Sequence, residues 1–182
     1  TSGEFDEGSC HPYLRRSNWP TRTLMVMGNF NMTNASELNQ VLIDRGQHPI
    51  FGTDTQTVLE EIGYHLDEAH TDLYRELRDA GVAGAEMPDR ISAALDVPRL
   101  VAEAAGAWDG GYAMAGLIGH GDAFVLRDPN CIRPAYYYMD DEVVSVASER
   151  SVLQTAFNVP FNDIKEIPGG EALIMKKGGD VY

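Results

Sequence analysis

The feature that most constrains this 182-residue chain is a series of short segments that begins at Gly110. GYAMAGLIG, DAFVLR, PAYYYMD and EVVSVAS are apolar or alternating runs separated by turn-forming residues, a spacing that predicts a β meander. SERSVLQTA (148–156) follows as a helix and EALIMKK (171–177) as a closing strand. Upstream, RTLMVMG (22–28) is short, apolar and closed by glycine, as a buried strand is. Between these strands lie helical patterns. Strands, then helices, then strands, with no linker, repeat or low-complexity segment, predict one α+β layered domain over residues 1–182.

The helical patterns have readable starts. Asn34 with Glu37 has the form of a capping box, and Leu38, Val41 and Leu42 follow at helical spacing, so a helix is expected over 34–45, ended by Gly46. Thr53 with Gln56 repeats the form, and Val58, Leu59, Ile62 and Leu66 make the apolar stripe behind it. Asp54 falls in that helix's first turn, where unpaired N–H groups and the helix dipole favour a carboxylate. Further helices are expected at Asp72–Ala80 and over about 88–105, with a break near Pro98. Residues 1–21 are rich in Gly, Ser, Pro and charge and read as loop. Gly28-Asn29 reads as a turn.

Composition removes several functions. A net charge of −14 argues against a general electrostatic footprint for nucleic acid or anionic membrane. No apolar run approaches the roughly 20 residues that span a bilayer. The two cysteines, Cys10 and Cys131, have no metal-ligand spacing, and the default compartment is reducing and cytoplasmic. The five histidines share no metal-binding spacing either, and HLDEAH (65–70) is not a zinc motif. RDPNCIRP (127–134) could mark a phosphate site, but a turn with Asp128 and Arg133 as structural partners accounts for it more simply, with Cys131 as a small buried residue.

GNFNMTNASEL, TDTQTVLEEI, GGYAMAGLIGHGDAFVLRDPNCIRP, VASERSVLQTA and IPGGEALIM occur in that order. Together they resemble the glutamine amidotransferase domain of the amidophosphoribosyltransferase family, over most of residues 22–177. The most specific part is RDPNCIRP followed by VASE and PGGEA. The resemblance implies a four-layer αββα sandwich of the N-terminal-nucleophile (Ntn) hydrolase type, here without its first strands. It implies attack by an N-terminal cysteine on the side-chain amide of glutamine, with ammonia passed to a phosphoribosyltransferase domain that makes phosphoribosylamine for purine synthesis. It further implies a homo-oligomer and no cofactor in this domain.

Residue by residue, the resemblance sets the family's His-Asn-Gly on Gly28, Asn29 and Phe30, so the Asn29 side chain and the Phe30 backbone N–H are the expected oxyanion donors. It sets the helix start on Thr53 and Asp54, the Asp pairing with the ammonium of bound glutamine. Taken by themselves these residues also fit a plain turn and a plain helix cap. Cys10 is internal and lacks a free amine, so the nucleophile is expected upstream of Thr1 and the transferase domain beyond Tyr182. Thr1 matches the end of the family's carboxylate-binding segment, which precedes a Gln-Pro or His-Pro seen here as His11-Pro12. Two other readings stand beside this one: a non-catalytic glutamine-binding or regulatory module, and an Ntn amidohydrolase that uses Thr1 as nucleophile.

Overall fold

The structure, a computed structural model, describes residues 10–48 and 53–182. Its elements in chain order are β1 (Tyr13–Arg15), β2 (Leu24–Met32), α1 (Ala35–Asp44), α2 (Asp54–Asp79), α3 (Met87–Ala94), α4 (Val97–Ala105), β3 (Gly110–Ile118), β4 (Ala123–Arg127), β5 (Tyr136–Met139), β6 (Val144–Ala147), α5 (Arg150–Phe157), β7 (Lys165–Glu166) and β8 (Ala172–Met175). The strands form a five-stranded sheet in the order β1-β2-β3-β4-β8 and a three-stranded sheet in the order β6-β5-β7, antiparallel throughout. The chain is an α+β fold.

Alternation in the strands gives the large sheet two apolar faces. On one, Leu24, Val26, Met114, Phe124 and Ile174 meet Val58, Ile62, Leu66, Leu100 and Val101 of the helices. Each such side chain contributes roughly 1.5–3 kcal/mol when fully buried. On the other face, Val125 and Leu173 meet Ala135 and Ile167, with Tyr137, Val144 and Val146 of the small sheet packed around them. Helix α5 lies against β5 and β6. The small sheet covers only part of its larger neighbour: toward β1 and β2, Leu14, Met27 and Leu117 stay 40%, 48% and 46% exposed. On the helical side, Arg15 of β1 reaches across α2 to Glu60 and Asp67, fixing the sheet margin to the helix.

Several local expectations are corrected. The Gly28-Asn29 turn does not form: β2 runs straight on to Met32, and Asn29 pairs with Ala113. A Cβ on Gly28 would lie 2.5 Å from the Ala113 carbonyl oxygen and 2.8 Å from Met114 Cα, so the glycine serves close strand approach rather than a bend. Residues 13–15, read as loop, pair with β2. Asn34 precedes α1 without a side-chain cap bond; its amide instead donates to Ala107 O at 2.8 Å and its Oδ1 accepts from Asp109 N at 3.1 Å. Thr53 does cap α2, accepting from Gln56 N at 3.3 Å, but the Gln56 side chain turns to Glu60 instead of closing a box. The expected separate helix at 72–80 is the continuation of α2: the Thr71 hydroxyl bonds back to Asp67 O at 2.7 Å instead of capping a new start. The break near Pro98 does occur, with α4 starting at Val97 and capped by Asp96.

Candidate functional site

The site begins with which way the amides of β2 point. Two hydrogen bonds bracket its ladder with β3, Thr33 N to Asp109 O at 2.9 Å and Gly119 N to Thr23 O at 2.8 Å. In an antiparallel pair such bonds recur every second residue, so the odd-numbered amides of β2 face β3 and the even-numbered ones face the opposite edge. Strand β1 covers that edge only at Leu24 and Val26. The amides of Gly28, Phe30 and Met32 therefore point along an edge that no strand pairs among the described residues.

Asp54 meets this edge. Its Oδ2 accepts from Met32 N at 2.8 Å, which binds the first residue of α2 to the last of β2. The Phe30 amide lies two residues back along the same edge, about 7 Å away at ordinary strand rise. Phe30 is not among the non-glycine residues with positive φ, so a bulky residue at this place costs the strand no backbone strain. Asn29 is exposed, and its side chain alternates onto the sheet face away from the helices. Asn29, the Phe30 amide and Asp54 thus stand at one margin of the sheet, the first on its face and the other two at its edge.

Three residues that the sequence did not single out as site groups complete the corner. Tyr13 OH and Thr53 Oγ1 are 3.2 Å apart. Thr55 Oγ1 and His11 Nε2 are 3.3 Å apart. The His11 ring stacks on Phe30 at 5.9 Å and 10° and meets Tyr13 edge-on at 5.5 Å. Burial lowers the His11 pKa, which favours the neutral ring. The polar–apolar alternation that would reveal β1 spans three residues, too few to read, so Tyr13 carried no signal. His11 did carry one, in its place before a proline. Thr1 lies outside the described residues.

The other candidate, RDPNCIRP, is structural. Asp128 is fully buried and accepts from Tyr112 N at 3.3 Å, Ile132 N at 2.9 Å and Arg133 N at 3.0 Å. Its expected partner Arg133 thus contributes a backbone amide. Arg127, also buried, donates to Arg133 O, Glu166 and Ile167 O. Cys131, expected to be buried, is exposed and takes φ 55°, a left-handed backbone that the turn around Asp128 imposes. Two cavities open elsewhere: about 570 Å³ beside Tyr136, Arg150 and Phe161, and about 430 Å³ between α2 and α4 beside Asp72, Leu73 and Arg99. Neither is lined by Asn29, Phe30, Thr53 or Asp54. Among the described residues no group of three or more His, Cys, Asp or Glu side chains could hold a metal ion, and no helix is long and apolar enough to cross a membrane.

The sequence matches no protein-family model and no curated protein. Solved structures do match. Over 97% of its length the chain is similar to 32% of the glutamine phosphoribosylpyrophosphate amidotransferase from B. subtilis, complexed with ADP and GMP, with a TM-score of 0.61 and 24% identity. Over 93% of its length it is similar to 30% of an allosteric regulatory enzyme of purine biosynthesis, with a TM-score of 0.58 and 25% identity. The chain spans about a third of each, and with that part it shares a fold.

Proposed function

We propose that this chain is the glutamine-binding part of an amidotransferase of the amidophosphoribosyltransferase type. In this reading the parent protein hydrolyses the side-chain amide of glutamine to glutamate and ammonia, and the ammonia serves phosphoribosylamine formation. The observation that carries the reading is the corner itself. A carboxylate on the first turn of α2 is fixed by the Met32 amide, two residues from an edge amide and three from an exposed asparagine, in a fold shared with a glutamine phosphoribosylpyrophosphate amidotransferase and with an allosteric regulatory enzyme of purine biosynthesis. Helices, large sheet, small sheet and α5 in succession support the four-layer Ntn sandwich.

Each group has a chemical part to play. Attack on the amide carbon puts negative charge on its oxygen, and the Asn29 side chain with the Phe30 N–H supplies donors there, one good donor being worth about 3–4 kcal/mol. The Asp54 carboxylate takes the substrate ammonium through charge-assisted hydrogen bonds, and Thr53 orients the helix start that presents it. A thiolate nucleophile is the group the resemblance adds; this chain's two cysteines are both internal.

The test uses the full-length protein with glutamine and with free ammonia as alternative nitrogen donors. Asp54→Ala is expected to raise the glutamine KM, and Asn29→Ala to depress kcat, because the oxyanion exists only in the transition state. The ammonia-dependent rate should be untouched by either. Loss of that rate in both variants sinks the assignment. A second reading, a non-catalytic glutamine-binding module of the same fold, is favoured by Gly28 and Phe30 standing where the family has histidine and glycine. It predicts glutamine binding without ammonia release.

A further inference from the structure

We propose that His11 is a positioning residue of this corner: its ring, tied to Thr55 and stacked on Phe30, sets where β2 presents the amides of the edge that no strand pairs among the described residues. The inference rests on the glutamine-site reading for its functional consequence, but its structural content stands apart from it.

Strand β1 supports β2 only from Leu24 to Val26. From Gly28 to Met32 the strand is held by β3 on one side, and a half-paired strand opens more readily than one paired on both sides. Among the described residues two side chains brace that free edge, Asp54 at the Met32 amide and His11 at the Phe30 ring. Both are referenced to the same turn of α2, since Asp54 belongs to it and His11 is bound by the next residue, Thr55. Thr55 is only 4% exposed, so its hydroxyl needs an internal partner, and the His11 imidazole is one. His11 is itself exposed, so it is not there to fill the core. Among the described residues its partners Thr55, Phe30 and Tyr13 are walls of the corner. The hydroxyl fixes the ring's orientation, and the ring's face fixes Phe30.

The test combines residue-resolved amide hydrogen exchange with titration by L-glutamine, both on the full-length protein, in wild type, His11→Ala and His11→Phe. In His11→Ala the amides of Asn31 and Met32 should exchange about tenfold faster, while that of Met25, in the β1-supported part of the same strand, should not change. The glutamine dissociation constant should rise about tenfold, and His11→Phe, which keeps a stacking ring, should recover most of the protection. Equal exchange in wild type and His11→Ala overturns the inference. Equal acceleration at Met25 and Met32 overturns it too, since His11 would then be an ordinary stabilising residue. Absence of glutamine binding in the wild type refutes the glutamine site and leaves the exchange comparison to decide the role of His11. Unaltered glutamine affinity in His11→Ala beside binding in the wild type keeps the site and removes His11 from it.

Discussion

Two aspartates in this molecule do similar local work and differ in what they leave over. Asp128 is fully buried and accepts from the backbone amides of Tyr112, Ile132 and Arg133. Asp54 is partly exposed at the start of α2 and accepts from one, the Met32 amide, through Oδ2. Among the described residues no donor reaches its Oδ1. A carboxylate whose lone pairs are spent on the surrounding backbone holds a loop in shape and has nothing to offer a ligand. One that is anchored by a single bond is oriented and still open. The comparison also separates motif specificity from function: the most distinctive stretch of sequence, RDPNCIRP, belongs to the closed carboxylate, and the plainer TDTQ to the open one.

The largest effect should come from Asp128→Ala. It strands the amides of Tyr112, Ile132 and Arg133, an unsatisfied amide costing about 1–3 kcal/mol when buried, as Tyr112 is, so urea denaturation should show a loss of about 3 kcal/mol. Asp54→Ala should cost about 1 kcal/mol by the same measurement, yet weaken glutamine binding roughly 10- to 100-fold in calorimetry, as the loss of a charge-assisted bond requires. Equal destabilisation by the two substitutions would break the comparison. A smaller effect appears in acid. Burial alone would raise the Asp128 pKa, but the amides of Ile132, Arg133, Tyr112 and Asn130 outweigh it and hold the group below its ordinary 3.8. Its folded pKa is therefore the lower one. Its contribution is whole above about pH 4 and drains as pH falls through the folded value. Asp128→Asn should accordingly show a shallower loss of stability below pH 4 than the wild type. The smallest effect concerns Cys131, held at φ 55° by the same loop. Cys131→Gly relieves a left-handed strain of about 1–2 kcal/mol and adds about 0.5–1 kcal/mol of chain entropy cost, a net gain of about 0.5–1 kcal/mol. A rise in melting temperature of about 1–4 °C would register it.

The strands of the second half were legible because their runs are bounded by turn residues and their partners are near in sequence. β4 and β6 fall inside the expected segments, and β3 lies within one residue of its own. The course of β2 past Gly28 was not legible. Glycine and asparagine carry local turn propensity, and only the approach of β3, 80 and more residues away, makes Gly28 a strand residue. The same limit hid β1, whose three residues gain their meaning from β2. In α2, Thr71 and Asp72 look like a fresh helix start, but the helix was already under way and packed. Of the site, the likeness to a family supplied Asn29, Phe30, Thr53 and Asp54; Tyr13 and Thr55 came only from the three-dimensional arrangement.

The contact at Gly28 limits what this position can carry: the histidine that the resemblance sets here does not fit the present backbone unchanged. Any β-carbon there meets the Ala113 carbonyl and Met114 Cα, and main chain, unlike a side chain, has no alternative rotamer to which it can yield. Reinstating the imidazole first requires β3 to move outward, at a cost in the range of about 1–3 kcal/mol typical of overpacking. Phe30 is under no such bar, since shrinking it to glycine forfeits packing and obstructs nothing. The two positions therefore differ in what the backbone permits: Phe30 can shrink to glycine without obstruction, whereas a side chain at 28 needs β3 to move.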